Sequence, residues 1–261
     1  MKALAVLRNY ATMIKKPPNP PPKMNPLLKK WINTLLRRKK SQINVFLDMD
    51  GVLVNFDGAV KTEILKNYYE NAEMLHPDDP TRQRTLRKLQ KLELSPREIT
   101  DLYDSVNKKY KFGQSYTRKE QIFRDYFYAL LTNNKKLWIE MKKLKNSDFL
   151  VKNTLRYADN VYILSAPLDK VCREAKREWI AAHFEENFGI ESTNVYLAVD
   201  KGAKLLDLVN RGTVSLDDKN ILIDDMPKYI KTFAAAGGKG IQYDYEAPLR
   251  AIDELKALVN N

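Results

Sequence analysis

The first 43 residues contain no aspartate or glutamate, the chain of 261 holds one cysteine and two histidines, and no apolar run nears the roughly 18 residues that cross a bilayer. Each absence excludes something. A lone thiol, Cys172, cannot close an internal disulfide, which fits a reducing compartment. His76 and His183 have no partner at metal-ligand spacing, so both read as surface or helix-packing residues. With no spanning run and no apolar secretory core near the start, a soluble, cytoplasmic protein is expected.

The acid-free opening also explains the charge. Net +12 suggests a nucleic-acid binder, but residues 1–43 hold 11 of the 45 Lys and Arg, which leaves 34 against 33 acids and a net of +1 for the rest. The basicity belongs to an arm, and the body is electrically ordinary. Within the arm, "ALAVLRNYATMIKK" and "PLLKKWINTLLRRKK" have helical apolar spacing, and "PPNPPPKMN" between them reads as a stiff extended spacer. Such an arm suits an acidic surface (nucleic acid, anionic membrane or protein); the plainer alternative is a solvated tail.

The body alternates short apolar runs with amphipathic segments. "NVFLDMD", "NVYILSA", "NVYLAVD", "NILIDDM" and "GIQYD" read as buried strands, with helices starting near Leu168, Gly202 and Pro227. The expected class is α/β, a Rossmann-like parallel sheet with helices on both faces. Between residues 59 and 159 only helical periodicity occurs, with capping boxes at Ser95–Glu98 and Thr117–Glu120. The expected organisation is therefore an arm (1–43), a core (44–58 and 160–261) and an inserted all-helical cap (59–159).

In an open parallel sheet, residues at the carboxyl ends of separate strands converge on one crevice. Here that rule gathers Asp48 and Asp50, Ser165, Lys201, and Asp224 with Asp225. Taken alone, the paired aspartates could cap a turn, and Ser165 could be a helix N-cap. Together, so many carboxylates raise one another's pKa, and a divalent cation relieves the repulsion. Magnesium suits this oxygen-rich set and commonly bridges to phosphate. Asp48 is then an oxygen nucleophile towards phosphorus, the Lys and Ser hold the equatorial oxygens, and Asp50 protonates the leaving alkoxide.

The ordered set "DMDGVLVNF", "ILSAP", a lysine after the third strand and "ILIDDM" resembles the four signatures of the haloacid dehalogenase (HAD) superfamily of aspartyl-phosphate phosphatases. It is closest to the 5′(3′)-deoxyribonucleotidase branch, through Met49, Phe56, the Ser-x-Pro at 165–167 and the "KREWIAAHF" helix. The resemblance implies a HAD-like core with a helical cap. It also implies Asp48 as nucleophile, Asp50 as general acid/base, Ser165 and Lys201 on the phosphate, and a magnesium ion on Asp48, the Asp50 carbonyl, Asp224 and Asp225. Phe56, Ala166 and Trp138 are expected at the substrate, although core packing is the simpler reading for the two aromatics. A longer interval before "DD" leaves Lys204 as a rival for the lysine role.

The expected substrate is a nucleoside monophosphate, hydrolysed as by a 5′-nucleotidase. Two alternatives are a phosphatase of polynucleotide ends that uses the arm, and a non-catalytic binding or structural protein on the same scaffold.

Overall fold

The computed structural model describes residues 41–260. The expected arm helices, their proline spacer and any acidic partner of the arm lie outside the described residues. Ile43, placed by composition in the arm, instead opens the first strand. It pairs with Lys219, and its N–H donates to Asp159 at 2.8 Å.

Strand β1 (Ile43–Leu47) leads into a run of helices. These are α1 (Phe56–Tyr68), α2 (Ala72–Leu75), α3 (Pro80–Gln90), α4 (Pro96–Phe112), α5 (Arg118–Leu131), α6 (Lys135–Glu140) and α7 (Ser147–Tyr157). Ser95 and Thr117 begin α4 and α5 with complete capping boxes. The run does not form one unit. Helices α1, α3, α4 and α5 pack among themselves, whereas α6 lies on α8 and α7 lies on α11 and β2. Helices α6 and α7, the last two of the expected insertion at 59–159, thus pack against elements that follow it in the chain.

The remaining elements are β2 (Asn160–Ser165), α8 (Lys170–Ile180, continued by a π turn at Ala181–Glu185), β3 (Val195–Leu197), α9 (Lys201–Asn210), β4 (Lys219–Asp224), α10 (Pro227–Ala235), β5 (Lys239–Gln242) and α11 (Pro248–Asn260). All five strands are parallel, in the order β3-β2-β1-β4-β5. Val45, Phe46, Leu47, Ile221, Leu222 and Ile223 are wholly buried, as expected of strands covered on both faces. On one face Phe46, Leu164 and Leu222 pack with Leu205 and Phe233 of α9 and α10. On the other, Val45, Leu47 and Ile163 pack with Trp179, Ile252 and Leu255.

The chain runs outward from β1 to β2 and β3, then returns to β4 on the other flank of β1. The order therefore reverses between β1 and β4, the place where such sheets open a crevice. Above it, the outgoing and returning chains of the insertion run side by side: Asn55 N–H donates to Lys142 O and Leu144 N–H to Leu53 O, both at 2.9 Å, with a bridge between Val54 and Lys143.

Helices α9 and α10 approach closely at Gly202, where an added Cβ would lie 2.4 Å from the Thr232 carbonyl oxygen. Backbone cannot yield as a flexible side chain can. Gly202→Ala is expected to lower stability by about 1–3 kcal/mol or more, read as a lower urea midpoint; an unchanged midpoint would show that the two helices separate freely.

Candidate active site

Three carboxylates meet at the switch point. Asp48 follows β1 directly and Asp224 ends β4, with Asp225 next in sequence; one oxygen from each lies within 4.8 Å of the others. Asp48 is 4% exposed and Asp224 fully buried. Register fixes them: Asp48 N–H donates to Ile223 O at 3.0 Å, and Asp224 Oδ1 accepts from the Met226 N–H at 2.8 Å.

Lys201, the first residue of α9, places its buried ammonium between two of these groups. Its Nζ donates to Asp48 Oδ1 at 2.5 Å and to Asp224, and it lies 4.7 Å from the Tyr229 ring centroid. The paired carboxylates hold Lys201 charged against the opposing effect of burial. Lys204, one turn on, is not in the site: its ammonium pairs with Asp207 at 2.6 Å and lies over the Tyr196 ring.

The turn after β1 winds tightly, with the N–H groups of Val52, Leu53 and Val54 all directed to the Met49 carbonyl. Gly51 takes φ +76°, and a Cβ there would lie 3.0 Å from Asp225 Cγ. The turn therefore requires glycine both for its backbone conformation and for space.

Asp50 belongs to a separate network. Its Oδ2 accepts from Lys176 Nζ at 2.5 Å, and the same ammonium donates to Ser165 Oγ at 2.9 Å and to Ala166 O at 3.2 Å. Asp50 Oδ1 is buried with no partner. Burial raises the Asp50 pKa, with Lys176 opposing and the charge of Asp48 reinforcing. The Asp50 carboxylate thus lies outside the group of three that could hold a metal. Lys176 was missed by sequence reasoning, although a signal was present: with Cys172, Ala175, Trp179 and Ile180 it occupies the apolar face of α8.

A cavity of about 380 Å³ opens from these groups into the helical layer, and Asp48, Asp50, Ala166 and Asp225 line its polar end. Phe56 and Trp138 line it as well, stacked with centroids 5.6 Å apart. Trp138 is 2% exposed, its indole N–H donates to Leu131 O, and Lys176 Nζ lies 5.2 Å from its ring centroid. Lys111, from the end of α4, reaches across to Asp225 Oδ2 at 2.8 Å. The site residues read from sequence are thereby brought together, with Lys176 and Lys111 added.

The residues fit a divalent cation. Two ammonium groups face three carboxylates, Lys201 between Asp48 and Asp224 and Lys111 on Asp225, so one negative charge remains uncompensated. Asp224 is raised to about 7, first by burial and then by the charge of Asp48. Asp225 is raised to about 6, again by burial first, with Lys111 opposing.

No family model and no curated protein matches the chain. Among solved structures it is similar to a haloacid dehalogenase-like family hydrolase from Xanthomonas campestris (13% identity, TM-score 0.45, 85% of this chain and 94% of that one). It is also similar to a hydrolase from Streptococcus pneumoniae (13%, TM-score 0.48, 82% and 99%). A third is a HAD family enzyme from Bacteroides thetaiotaomicron, an aspartate-to-alanine mutant in complex with magnesium and inorganic phosphate (16%, TM-score 0.40, 78% and 95%). The structural neighbours are thus HAD-like hydrolases, and identities this low carry no statement about a substrate. No described helix is long and apolar enough to cross a membrane.

The raised pKa values of Asp224 and Asp225 give a pH dependence whose sign is fixed. Each group contributes stability that is complete below the ordinary carboxylate range and lost as the pH rises through about 6 to 7. A divalent cation binds the ionised forms and competes with those protons. Magnesium is therefore expected to raise the melting temperature more at pH 8 than at pH 5; an equal shift at both, or none, would count against the carboxylates as its ligands.

Proposed function

We propose that this protein hydrolyses phosphomonoesters with magnesium through an aspartyl-phosphate, and that its substrates are nucleoside monophosphates. The observation that carries the reading is the pair of unlike aspartates two residues apart. Asp48 is paired with Lys201 beside two more carboxylates, whereas Asp50 is set apart on Lys176 with one oxygen unpartnered. Environment separates two identical side chains into two roles.

Asp48, Asp224 and Asp225 would hold magnesium, with the Asp50 carbonyl as a further candidate; the ion would supply positive charge to the phosphoryl oxygens. Asp48 attacks phosphorus, and the bond to the leaving oxygen breaks as Asp50 passes its proton to that oxygen. In the second half, Asp50 takes a proton from water as the water attacks the phosphorus. Asp48 and orthophosphate are then released. Lys201 orients Asp48, and Ser165, fixed by Lys176, meets the phosphoryl oxygens. The nucleotide reading is supported by the aromatic walls of the cavity, where Phe56, backed by Trp138, and Phe127 and Tyr128 give apolar ring surface that suits a planar base.

Asp48→Asn tests the reaction directly, since an amide cannot attack phosphorus. Turnover of nucleoside monophosphates should fall by several orders of magnitude with unchanged circular dichroism; a near-parental rate would remove the aspartyl-phosphate.

Lys176→Met should slow esters with poor alkoxide leaving groups by about 100-fold while affecting p-nitrophenyl phosphate far less, because a good leaving group needs little protonation. Equal losses on both would assign Lys176 a structural role instead.

A further inference from the structure

The cavity wall holds a cation that the proposed chemistry does not use. Arg124, on α5, lines the cavity with its guanidinium carbon 5.1 Å from the Tyr116 ring centroid and 4.9 Å from that of Tyr128. Its Nε is buried without a hydrogen-bond partner, and among the described residues no carboxylate lies within ion-pair distance of it. Other basic groups that reach into the cavity region are paired: Lys111 with Asp225, and Lys176 with Asp50. A guanidinium held between two rings with no carboxylate partner keeps donors for a ligand that supplies acceptors.

The chemistry of the missing acceptor follows from the donor. The two terminal Nη groups form one edge of a planar guanidinium, two parallel N–H groups that match two adjacent acceptors. Phe56, Phe127, Tyr128 and Trp138 add apolar ring surface to the same cavity. A planar ring lodged there would present its edge, not its face, to a group on the wall.

We infer that Arg124 selects nucleobases carrying two adjacent acceptors on one edge, as guanine does with O6 and N7 and cytosine with O2 and N3, over adenine and thymine, whose edges interrupt acceptors with donors. This rests on the nucleotide reading above. It makes Arg124 a specificity-determining residue distant in role from the phosphoryl site: loss of its contact raises KM for the favoured bases and leaves their kcat the less affected parameter.

The test compares kcat/KM for dGMP, dCMP, dAMP and dTMP with magnesium, using the full chain, its Arg124→Leu and Arg124→Lys variants, and p-nitrophenyl phosphate as a base-free substrate for the parent. The expected result is a preference of about tenfold or more for dGMP and dCMP in the parent. In Arg124→Leu that preference should collapse to near unity; in Arg124→Lys, which keeps charge but not the two-pronged edge, it should fall part of the way. Circular dichroism and melting identify a variant that has not folded, in which case the other variant and the parent's own base ranking decide. Equal rates on all four nucleotides, or a uniform loss across them in the variants, would overturn the inference and leave the nucleotidase reading standing. Hydrolysis of p-nitrophenyl phosphate with none of the nucleotides would overturn both.

Discussion

A buried ammonium between two buried carboxylates is stable only if each partner is delivered by a rigid element, and Lys201 between Asp48 and Asp224 imposes that demand on the fold. The cost of stripping water from three charges is large, and geometry decides whether pairing offsets it. Asp48 is fixed by the register of β1 on β4, and Asp224 by the Met226 N–H. Lys201 is fixed by α9, whose close approach to α10 is possible because residue 202 is glycine. The parallel order of the sheet is what brings these three to one edge.

The same demand separates the two aspartates of the first loop. Asp48 shares the Lys201 ammonium with Asp224 and stands beside Asp225, in a group of three that could hold a metal. Asp50 has its own ammonium on one oxygen and buried space at the other, with its pKa pushed upward chiefly by burial. Two residues of turn are enough to place one side chain among acids and the other against α8.

Much of this was legible in the sequence, and for a physical reason. Strands of a doubly covered parallel sheet bury both faces, so they read as unbroken apolar runs, and their ends mark the crevice; Asp48, Ser165, Lys201 and Asp224 could be placed that way. Lys176, Lys111 and Arg124 could not be placed with equal ease. Each lies in a helix rich in other charges, and only the packing of that helix distinguishes a buried cation from a solvated one. Lys176 alone left a trace, by falling on the apolar face of α8. The limits of the helical insertion were also hidden, because α7 has the same periodicity as the helices before it and differs only in what it packs against.

The paired chains at Leu53–Asn55 and Lys142–Leu144 join the helical unit α1–α5 to the sheet by a short two-stranded ribbon, and the Lys111–Asp225 and Lys228–Tyr110 contacts add side-chain links. Such a ribbon bends easily across its flat face and resists shear within it, since sliding one chain past the other breaks the bonds that tie them. Any rotation of the unit about this attachment would therefore be hinged, and Phe56, one residue beyond the ribbon, would be displaced least of the unit's side chains that line the cavity.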